Sequence, residues 1–363
     1  MTVATAVTTE VMIDAWMMTI PNAPVEHVVQ PHVPCGANEA FVEVAGCGVC
    51  HTDLSFLYGG VKTRGALPLT LGHEISGVVR EVGPGVDASL VGKAVVIPAV
   101  LPCGECALCR AGHRSICRKQ VMPGNDRHGG FASHVTVPAR WLCPVPDAVL
   151  RSHELWELSV VADAVSTPFQ AVKNSGLGAN DLAVCVGVGG IGVYGVQIAV
   201  ACGAKVIALD VSDQKLEQAR AAGAHAAINT RGLAAKDVRK MVKEQADKLG
   251  ANPFLWKIFE MSGTRAGQET AYALLTFGAS LAVVGFSTDK VEIPLSNLMA
   301  FEATARGNWG ADPTIYPELL EWIGDGRVTL KPFVEKHALA DINRVFDDAH
   351  HGRLLRRAVL VPG

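Results

Sequence analysis

The chain has 363 residues, enough for two domains that each bury a core of their own. A formal net charge of −3 and a sequence pI near 6.5 give no sign of the basic surface that binds nucleic acid. Residues 1–10 lack the basic segment and apolar core of a signal peptide, so we expect a cytoplasmic protein. In that compartment, ten cysteines indicate metal binding or catalysis rather than disulfides.

The first part of the chain has the pattern of short β-strands. Residues 12–49 alternate apolar and polar side chains between proline and glycine breaks. Further short strands are predicted at 77–81 and 94–98, with turn signals at 59–60 and 83–85. This density of turns predicts a barrel-like β domain.

Three side chains spread over this first part are candidate ligands of one metal ion. Cys50 lies in GCGVCHTD, His73 in LGHEISGVV and Asp163 in ADAVSTPFQA. A thiolate, an imidazole and a carboxylate leave the fourth position of a tetrahedral zinc open, as catalysis requires. Taken singly, they would be explained as a buried thiol, a core histidine and a helix cap. The prediction therefore depends on the motifs that accompany them.

A cysteine cluster, CGECALCRAGHRSIC, lies between these candidates. Cys103, Cys106 and Cys109 follow at intervals of three, and Cys117 comes after a longer gap. Four thiolates fill a tetrahedral zinc shell and leave no open position, which predicts a structural zinc. An iron–sulfur site and free thiols are the alternatives. The long last gap and the absence of a proline after Cys117 favour zinc.

Residues 181–210 predict a strand, a turn, a helix and a second strand. The first strand covers 182–186, the helix 193–200 and the second strand 205–209, and the glycines between have the GxGxxG spacing. Such glycines allow a tight turn, close approach of a pyrophosphate and packing of helix on strand, while the helix N-terminus attracts phosphate. Asp210 is placed to accept hydrogen bonds from an adenosine ribose and to repel a 2′-phosphate, which predicts NAD rather than NADP.

Two other interpretations of this stretch stay open. Residues 182–204 carry no charge and are long enough to span a bilayer, although their glycines and strand-like start argue against it. A doubly wound domain that binds nothing is the second alternative. Later strands are predicted within 255–263 and 279–286, with a helix at 265–275, so the whole chain is of the α/β class.

In this order and spacing, GCGVCHTD, LGHEISGVV, CGECALCRAGHRSIC and GVGGIG resemble the zinc-dependent medium-chain alcohol dehydrogenases over essentially the whole chain. The resemblance implies a GroES-like catalytic domain over 1–165, with the structural-zinc lobe at 103–117. It implies a Rossmann domain with a doubly wound parallel sheet over 166–307 and a return to the catalytic domain over 308–363. It also implies NAD, one catalytic and one structural zinc per subunit, and a homo-oligomer, either dimer or tetramer.

The resemblance assigns roles to matching residues. Cys50, His73 and Asp163 correspond to the catalytic zinc ligands, and Glu74 to an acid that can approach the metal. Asp53 corresponds to the residue that orients the ligating imidazole, and Thr52 to the hydroxyl that receives the alcohol proton. The implied cofactor-binding residues are Gly187, Gly189, Gly190, Ile191, Gly192, Asp210, Lys215, His51, Val284, Gly285 and Arg357.

Within the cofactor set, His51 and Arg357 correspond to pyrophosphate contacts, and Lys215 to a residue beside the adenosine ribose. Val284 and Gly285 correspond to positions near the nicotinamide. The chain departs from many family members at Ser55, where a histidine would complete the proton relay.

The implied reaction is oxidation of a secondary alcohol to a ketone, with neither nucleic acid nor membrane as a partner. Within the family, the chain most resembles dehydrogenases of a cyclic allylic alcohol carried as a CoA thioester in anaerobic aromatic degradation. Lys62, Arg64 and Arg127 are then candidates to meet the CoA phosphates. The alternatives are a zinc enzyme acting on a free primary or secondary alcohol, a zinc-free reductase of the same fold, and a non-catalytic cofactor-binding protein.

Overall fold

The structure is a computed structural model that describes residues 11–363. The prediction that there is no signal peptide concerns residues 1–10, which lie outside the described residues. The first part of the chain consists of short strands and turns. Its strands are β1 (Met12–Met18), β2 (Glu26–Pro31), β3 (Glu39–Gly48), β4 (Leu69–Thr70), β5 (Glu74–Val82), β6 (Ala94–Ile97), β7 (His134–Pro138) and β8 (Cys143–Pro144). Its α-helices are α1 (His51–Leu57), α2 (Ala107–Arg110) and α3 (Asp147–Leu150).

The remainder alternates helices and strands. The helices are α4 (Ser166–Ser175), α5 (Gly192–Ala201), α6 (Asp213–Ala221), α7 (Ala235–Lys248), α8 (Arg265–Ala273), α9 (Ser296–Ala300), α10 (Tyr316–Gly324) and α11 (Ile342–His350). The strands are β9 (Leu182–Val186), β10 (Lys205–Asp210), β11 (Ala226–Asn229), β12 (Lys257–Glu260), β13 (Ser280–Val283), β14 (Thr304–Gly307), β15 (Val334–Ala338) and β16 (Arg357–Val361). Short 3₁₀ helices cover Ala88–Leu90, Arg114–Ile116, Ala139–Trp141, Leu155–Ala162, Pro313–Ile315, Lys331–Phe333 and Leu339–Asp341.

The first part folds around β3, which pairs antiparallel with β5 and β7. Its seven-stranded sheet has the order β15-β16-β3-β5-β6-β8, with β7 attached to β3, and a small sheet of β2, β1 and β4 completes it. The C-terminal strand β16 joins this sheet by pairing Val359 with Gly48. The last part of the chain therefore returns to the first domain, and it brings Arg357 next to the strands that precede Cys50 and follow His73.

The second sheet has six parallel strands in the order β11-β10-β9-β12-β13-β14. All five residues of β9 are buried, as a strand covered on both faces requires. The strand order reverses between β9 and β12, and in such sheets the crevice at the carboxyl ends of the strands binds the ligand. This sheet confirms the predicted doubly wound fold and places the glycine-rich turn after β9 at that crevice.

The predicted elements agree with the observed ones to within a few residues. The candidate bilayer span is divided between the strand β9 and the ten-residue helix α5. Within residues 11–363, no helix has the length and apolar character needed to cross a membrane. The domain boundaries at 165/166 and 307/308 stay predictions.

Candidate active site

The N-terminus of α1 is built by the CHTD segment. Cys50 is the residue before the helix, and its backbone N–H donates to Asp53 Oδ2 at 3.0 Å. The other oxygen, Asp53 Oδ1, accepts from the backbone N–H of Gly72 at 3.1 Å and lies 3.3 Å from His73 Nδ1. Asp53 is fully buried. One carboxylate thus fixes both the cysteine and the histidine segments.

Three predicted ligands from distant segments converge here. His73 precedes β5, and Asp163 follows the 3₁₀ helix Leu155–Ala162. Asp163 Oδ2 lies 3.6 Å from His73 Nε2 and 3.8 Å from Cys50 Sγ. Together with Glu74, these side chains offer ligand atoms that all lie within 4.8 Å of one another.

This donor set fits a zinc ion. Ligand bonds of about 2.0–2.3 Å in a tetrahedron separate neighbouring donor atoms by roughly 3.3–3.8 Å, and the two distances to Asp163 Oδ2 agree. Both ring nitrogens of His73 lack a hydrogen-bond partner, although the residue is only 1% exposed. Burial alone would lower the pKa of His73, but the Asp53 and Asp163 carboxylates raise it well above its ordinary value. A cation is therefore favoured at this imidazole, either a proton or a metal.

Glu74 has a different arrangement from the three ligands. Both of its carboxylate oxygens accept hydrogen bonds from Arg357, with Nε to Oε2 at 2.7 Å and Nη2 to Oε1. Glu74 is fully buried and Arg357 is 9% exposed. Burial raises the pKa of Glu74, and the guanidinium opposes that shift. Glu74 therefore lies within reach of the metal set while it is held by the arginine.

The four cysteines of the lobe form the second donor set. The Cys106 sulfur lies 3.5 Å from that of Cys109 and 3.7 Å from that of Cys117, and the Cys103 sulfur lies 3.5 Å from that of Cys117 and 4.0 Å from that of Cys109. A tetrahedron with bonds of about 2.3 Å requires sulfur separations of roughly 3.8 Å. The backbone N–H of Cys109 lowers the pKa of Cys106 to about 6. The spacing fits a single zinc ion and is too tight for a cluster of several irons.

The glycine-rich turn has the geometry that its spacing predicts. Gly187 has φ +82°, and a Cβ on Gly192 would lie 2.0 Å from the carbonyl oxygen of Gly187. A Cβ on Gly189 would meet only the end of the Lys215 side chain, at 3.5 Å. Asp210 accepts hydrogen bonds from the backbone N–H groups of Val188 and Ser212, at 2.9 and 3.0 Å. The carboxylate of Asp210 thus connects the glycine-rich turn to the residues that follow β10.

One cleft of about 1270 Å³ connects these features. All three predicted zinc ligands line it, and so do the following predicted residues of the proton path and the cofactor site: His51, Thr52, Ser55, Gly187, Gly189, Gly190, Ile191, Asp210, Lys215, Val284, Gly285 and Arg357. Desolvation in the cleft, followed by the charges of Arg357 and Lys215, lowers the pKa of His51. The cysteine lobe also contributes His113, Ser115 and Ile116 to the wall.

Three basic residues are predicted to meet the phosphates of a CoA tail that leaves the cleft. Lys62, Arg64 and Arg127 are absent from the cleft wall. Arg127 instead pairs with Glu39 at 2.8 Å, and Arg64 with Asp126 at 3.3 Å. Arg64 and Arg127 are thus engaged with carboxylates, and the contact of the three residues with CoA phosphates stays a prediction.

Sequence reasoning missed one residue at the metal set. Thr167 is 5% exposed, lines the cleft, and donates a hydrogen bond from Oγ1 to Asp163 Oδ1 at 2.5 Å. A hydroxyl four residues after a candidate carboxylate ligand that could itself cap a helix is the signal that would have found it.

Fold and site together define a zinc- and nicotinamide-dependent dehydrogenase. Residues 36–147 match the family described as alcohol dehydrogenase GroES-like domain, and residues 190–325 match the one described as zinc-binding dehydrogenase. An alcohol dehydrogenase of Geobacillus stearothermophilus is 32% identical over 93% of this chain and 95% of its own. The alcohol dehydrogenase structure from Aeropyrum pernix superposes with a TM-score of 0.85 at 30% identity, covering 96% of this chain and all of that one.

A third relative, 2-dehydro-3-deoxy-L-galactonate 5-dehydrogenase of Pseudoalteromonas atlantica, is 30% identical over 88% of this chain and 89% of its own. The chain belongs to the zinc-dependent medium-chain alcohol dehydrogenase family. It is an oxidoreductase, and its two donor sets fit the two zinc ions expected from the sequence.

Proposed function

We propose that the protein oxidises a secondary alcohol to a ketone with NAD, at a zinc ion held by Cys50, His73 and Asp163. The observation that carries this proposal is the convergence of those three donors on the wall of the cleft that also contains the glycine-rich turn. A reaction between a substrate at the zinc and a bound nicotinamide needs both sites in one cavity. The second zinc, at the four cysteines, is structural in this proposal.

When bound, the zinc lowers the pKa of the substrate alcohol and the nicotinamide accepts the hydride. The chain contributes the proton acceptor. Thr52 Oγ1 lies 3.7 Å from Cys50 Sγ, so its hydroxyl is beside the metal set and in the cleft. Ser55 donates its hydroxyl hydrogen to the backbone carbonyl of His51 at 2.9 Å. Because that hydrogen is held in this bond, we do not assign the proton transfer to Ser55. We assign the onward proton acceptor to His51, which lines the cleft next to Thr52 in the chain.

NAD is the proposed cofactor because β10 ends with a carboxylate, Asp210, where we expect the adenosine ribose. The pyrophosphate is assigned to the turn at Gly189 and Gly190, with Arg357 and His51 beside it. The nicotinamide is assigned to the region of Val284 and Gly285. Turnover with NAD and none with NADP is the expected result in an absorbance assay, and a preference for NADP would contradict the role given to Asp210.

Within this reaction, we propose 6-hydroxycyclohex-1-ene-1-carbonyl-CoA as the substrate and its 6-oxo product. The sequence resemblance supports this choice, and the size of the cleft is compatible with a substrate that carries a nucleotide tail. Arg306 and Arg356 line the cleft and are further candidates for its phosphates.

The test compares two substrates that share one ring. The first is a free cyclic allylic alcohol, and the second is the same ring as a CoA thioester, with NADH formation followed by absorbance. A strong preference for the thioester supports the CoA proposal. Turnover of the free alcohol alone rejects it and leaves the zinc dehydrogenase reaction standing. A protein that binds cofactor without catalysis would turn over neither, and an Asp163→Ala variant provides the inactive control.

We also propose a homo-oligomer assembled through the edge of the parallel sheet. All four residues of β14 are exposed, and Leu295 and Met299 nearby are 67% and 79% exposed. An exposed edge strand offers unpaired backbone groups to a second copy. Light scattering that gives a monomer mass would contradict this.

The cytoplasmic location stays a prediction.

A further inference from the structure

The two carboxylate oxygens of Asp163 have different partners. Oδ2 faces His73 Nε2 and Cys50 Sγ, at 3.6 and 3.8 Å. Oδ1 accepts the hydrogen bond from Thr167 Oγ1 at 2.5 Å. One oxygen therefore belongs to the donor set, and a hydroxyl occupies the other.

The hydroxyl is held firmly in that position. Thr167 lies in the first turn of α4, and its backbone N–H donates to the carbonyl of Asp163 at 2.9 Å. Its own carbonyl accepts from Asn308 Nδ2 at 3.3 Å. The residue is buried, and a β-branched side chain has few rotamers open to it. Because the acceptor is a carboxylate, the bond is of the stronger, charge-assisted kind.

A carboxylate ligand can bind a metal ion through one oxygen or through both, whereas a cysteine thiolate has a single donor atom. With Cys50 and His73 also bound, a second oxygen of Asp163 would take the position that a catalytic zinc keeps open. A chain that uses an acid as third ligand therefore needs a means of restraining its second oxygen.

We propose that Thr167 is a positioning residue that restricts Asp163 to one-oxygen coordination of the catalytic zinc and so keeps the substrate position open. This inference rests on the zinc site proposed above. Thr167 acts on the zinc through Asp163. The proposal assigns this effect to the Thr167 hydroxyl group and not to the size of the side chain.

The test uses Thr167→Val, which keeps the shape and removes the hydroxyl, and Thr167→Ser, which keeps the hydroxyl. Cobalt replaces zinc at the Cys50 site, because the visible absorption of Co²⁺ is strong in four-coordinate and weak in five-coordinate geometry. The kcat/KM for the alcohol is measured separately by NADH formation with the zinc-loaded protein. We expect Thr167→Val to weaken the cobalt absorption and, because the second oxygen of Asp163 would then fill the substrate position, to lower kcat/KM by about 10-fold or more. Thr167→Ser should match the wild type. A Thr167→Val protein with wild-type cobalt absorption would overturn the proposal.

An Asp163→Cys background separates this role from helix packing. With one donor atom at position 163 there is no second oxygen to restrain, so Thr167→Val should then leave the cobalt spectrum unchanged. An equal loss of metal or of folding in both backgrounds would show a packing role and overturn the proposal.

The wild type must bind two zinc ions per chain. One zinc alone, with the cysteine cluster filled, would reject the proposed zinc site itself, a result distinct from the failure of Thr167→Val to change the spectrum.

Discussion

The guanidinium of Arg357 joins Glu74 to the glycine-rich turn. Its Nε and Nη2 donate to the two oxygens of Glu74, and its Nη1 would lie 2.9 Å from a Cβ placed on Gly190. Both charged side chains are buried. One side chain therefore links the carboxylate beside the zinc ligands to the place where the cofactor phosphates are proposed to bind.

Removing Arg357 should destabilise the protein through the charge that it leaves behind. Arg357→Met would bury the Glu74 carboxylate without a partner, and breaking such a pair costs about 3–5 kcal/mol. We expect a clear fall in the melting temperature, measured by differential scanning calorimetry. Adding Glu74→Gln to Arg357→Met removes the unpaired charge and should recover much of the loss. If the double variant melts lower than Arg357→Met, the pair is not the source of the stability.

Two glycines of the turn should respond differently to substitution by alanine, because Gly192 is needed for folding and Gly189 for cofactor binding. A Cβ at Gly192 collides with the carbonyl of Gly187, so Gly192→Ala should lower the melting temperature. A Cβ at Gly189 meets only the Lys215 side chain, so Gly189→Ala should fold normally. Because a pyrophosphate must approach that backbone, Gly189→Ala should instead raise the KM for NAD by roughly 10-fold or more. A normal KM for Gly189→Ala would place the phosphates elsewhere.

The elements predicted best are those whose pattern is complete within a short segment. The strand at Leu182–Val186 is reproduced residue for residue, because five consecutive apolar side chains are buried on both faces of a sheet. The zinc ligands could be named because each lies in a recognisable motif, although no local pattern says that they meet.

Contacts made by the return of the chain could not be predicted from sequence. The pairing of Arg357 with Glu74 exists because β16 docks beside β3, a long-range event without a local signal. The same limit applies to Arg127, which pairs with Glu39 across the β domain. Thr167 was missed because a threonine near a helix start is usually explained by helix formation alone.

Loss of the structural zinc should affect the substrate as well as the fold. Cys106→Ser removes one of the four sulfurs, so the zinc content should fall from two to one per chain by atomic absorption. His113 and Ser115 of the same lobe line the cleft, and Arg114 bonds Asp312 at 3.0 Å. We therefore expect a raised KM for the alcohol in addition to a lower melting temperature. Cys202→Ser, outside both donor sets, should retain two zincs and a normal KM. An unchanged KM in Cys106→Ser would show that the lobe serves only stability.

Asp53→Asn should weaken the catalytic zinc without altering the size of the side chain. Both Asp53 oxygens accept from backbone N–H groups, those of Cys50 and Gly72, and Oδ1 also faces His73 Nδ1. An amide must turn its NH₂ group toward at least one of these donors, which misaligns the two ligands that Asp53 positions. We expect a loss of about 10–100-fold in zinc affinity and in kcat/KM, measured by chelator competition and NADH formation. Asp87→Asn, at an exposed turn where the carboxylate accepts from the N–H of Ser89, is the control and should change neither quantity. Full zinc retention in Asp53→Asn would show that Cys50 and His73 are positioned by the backbone alone.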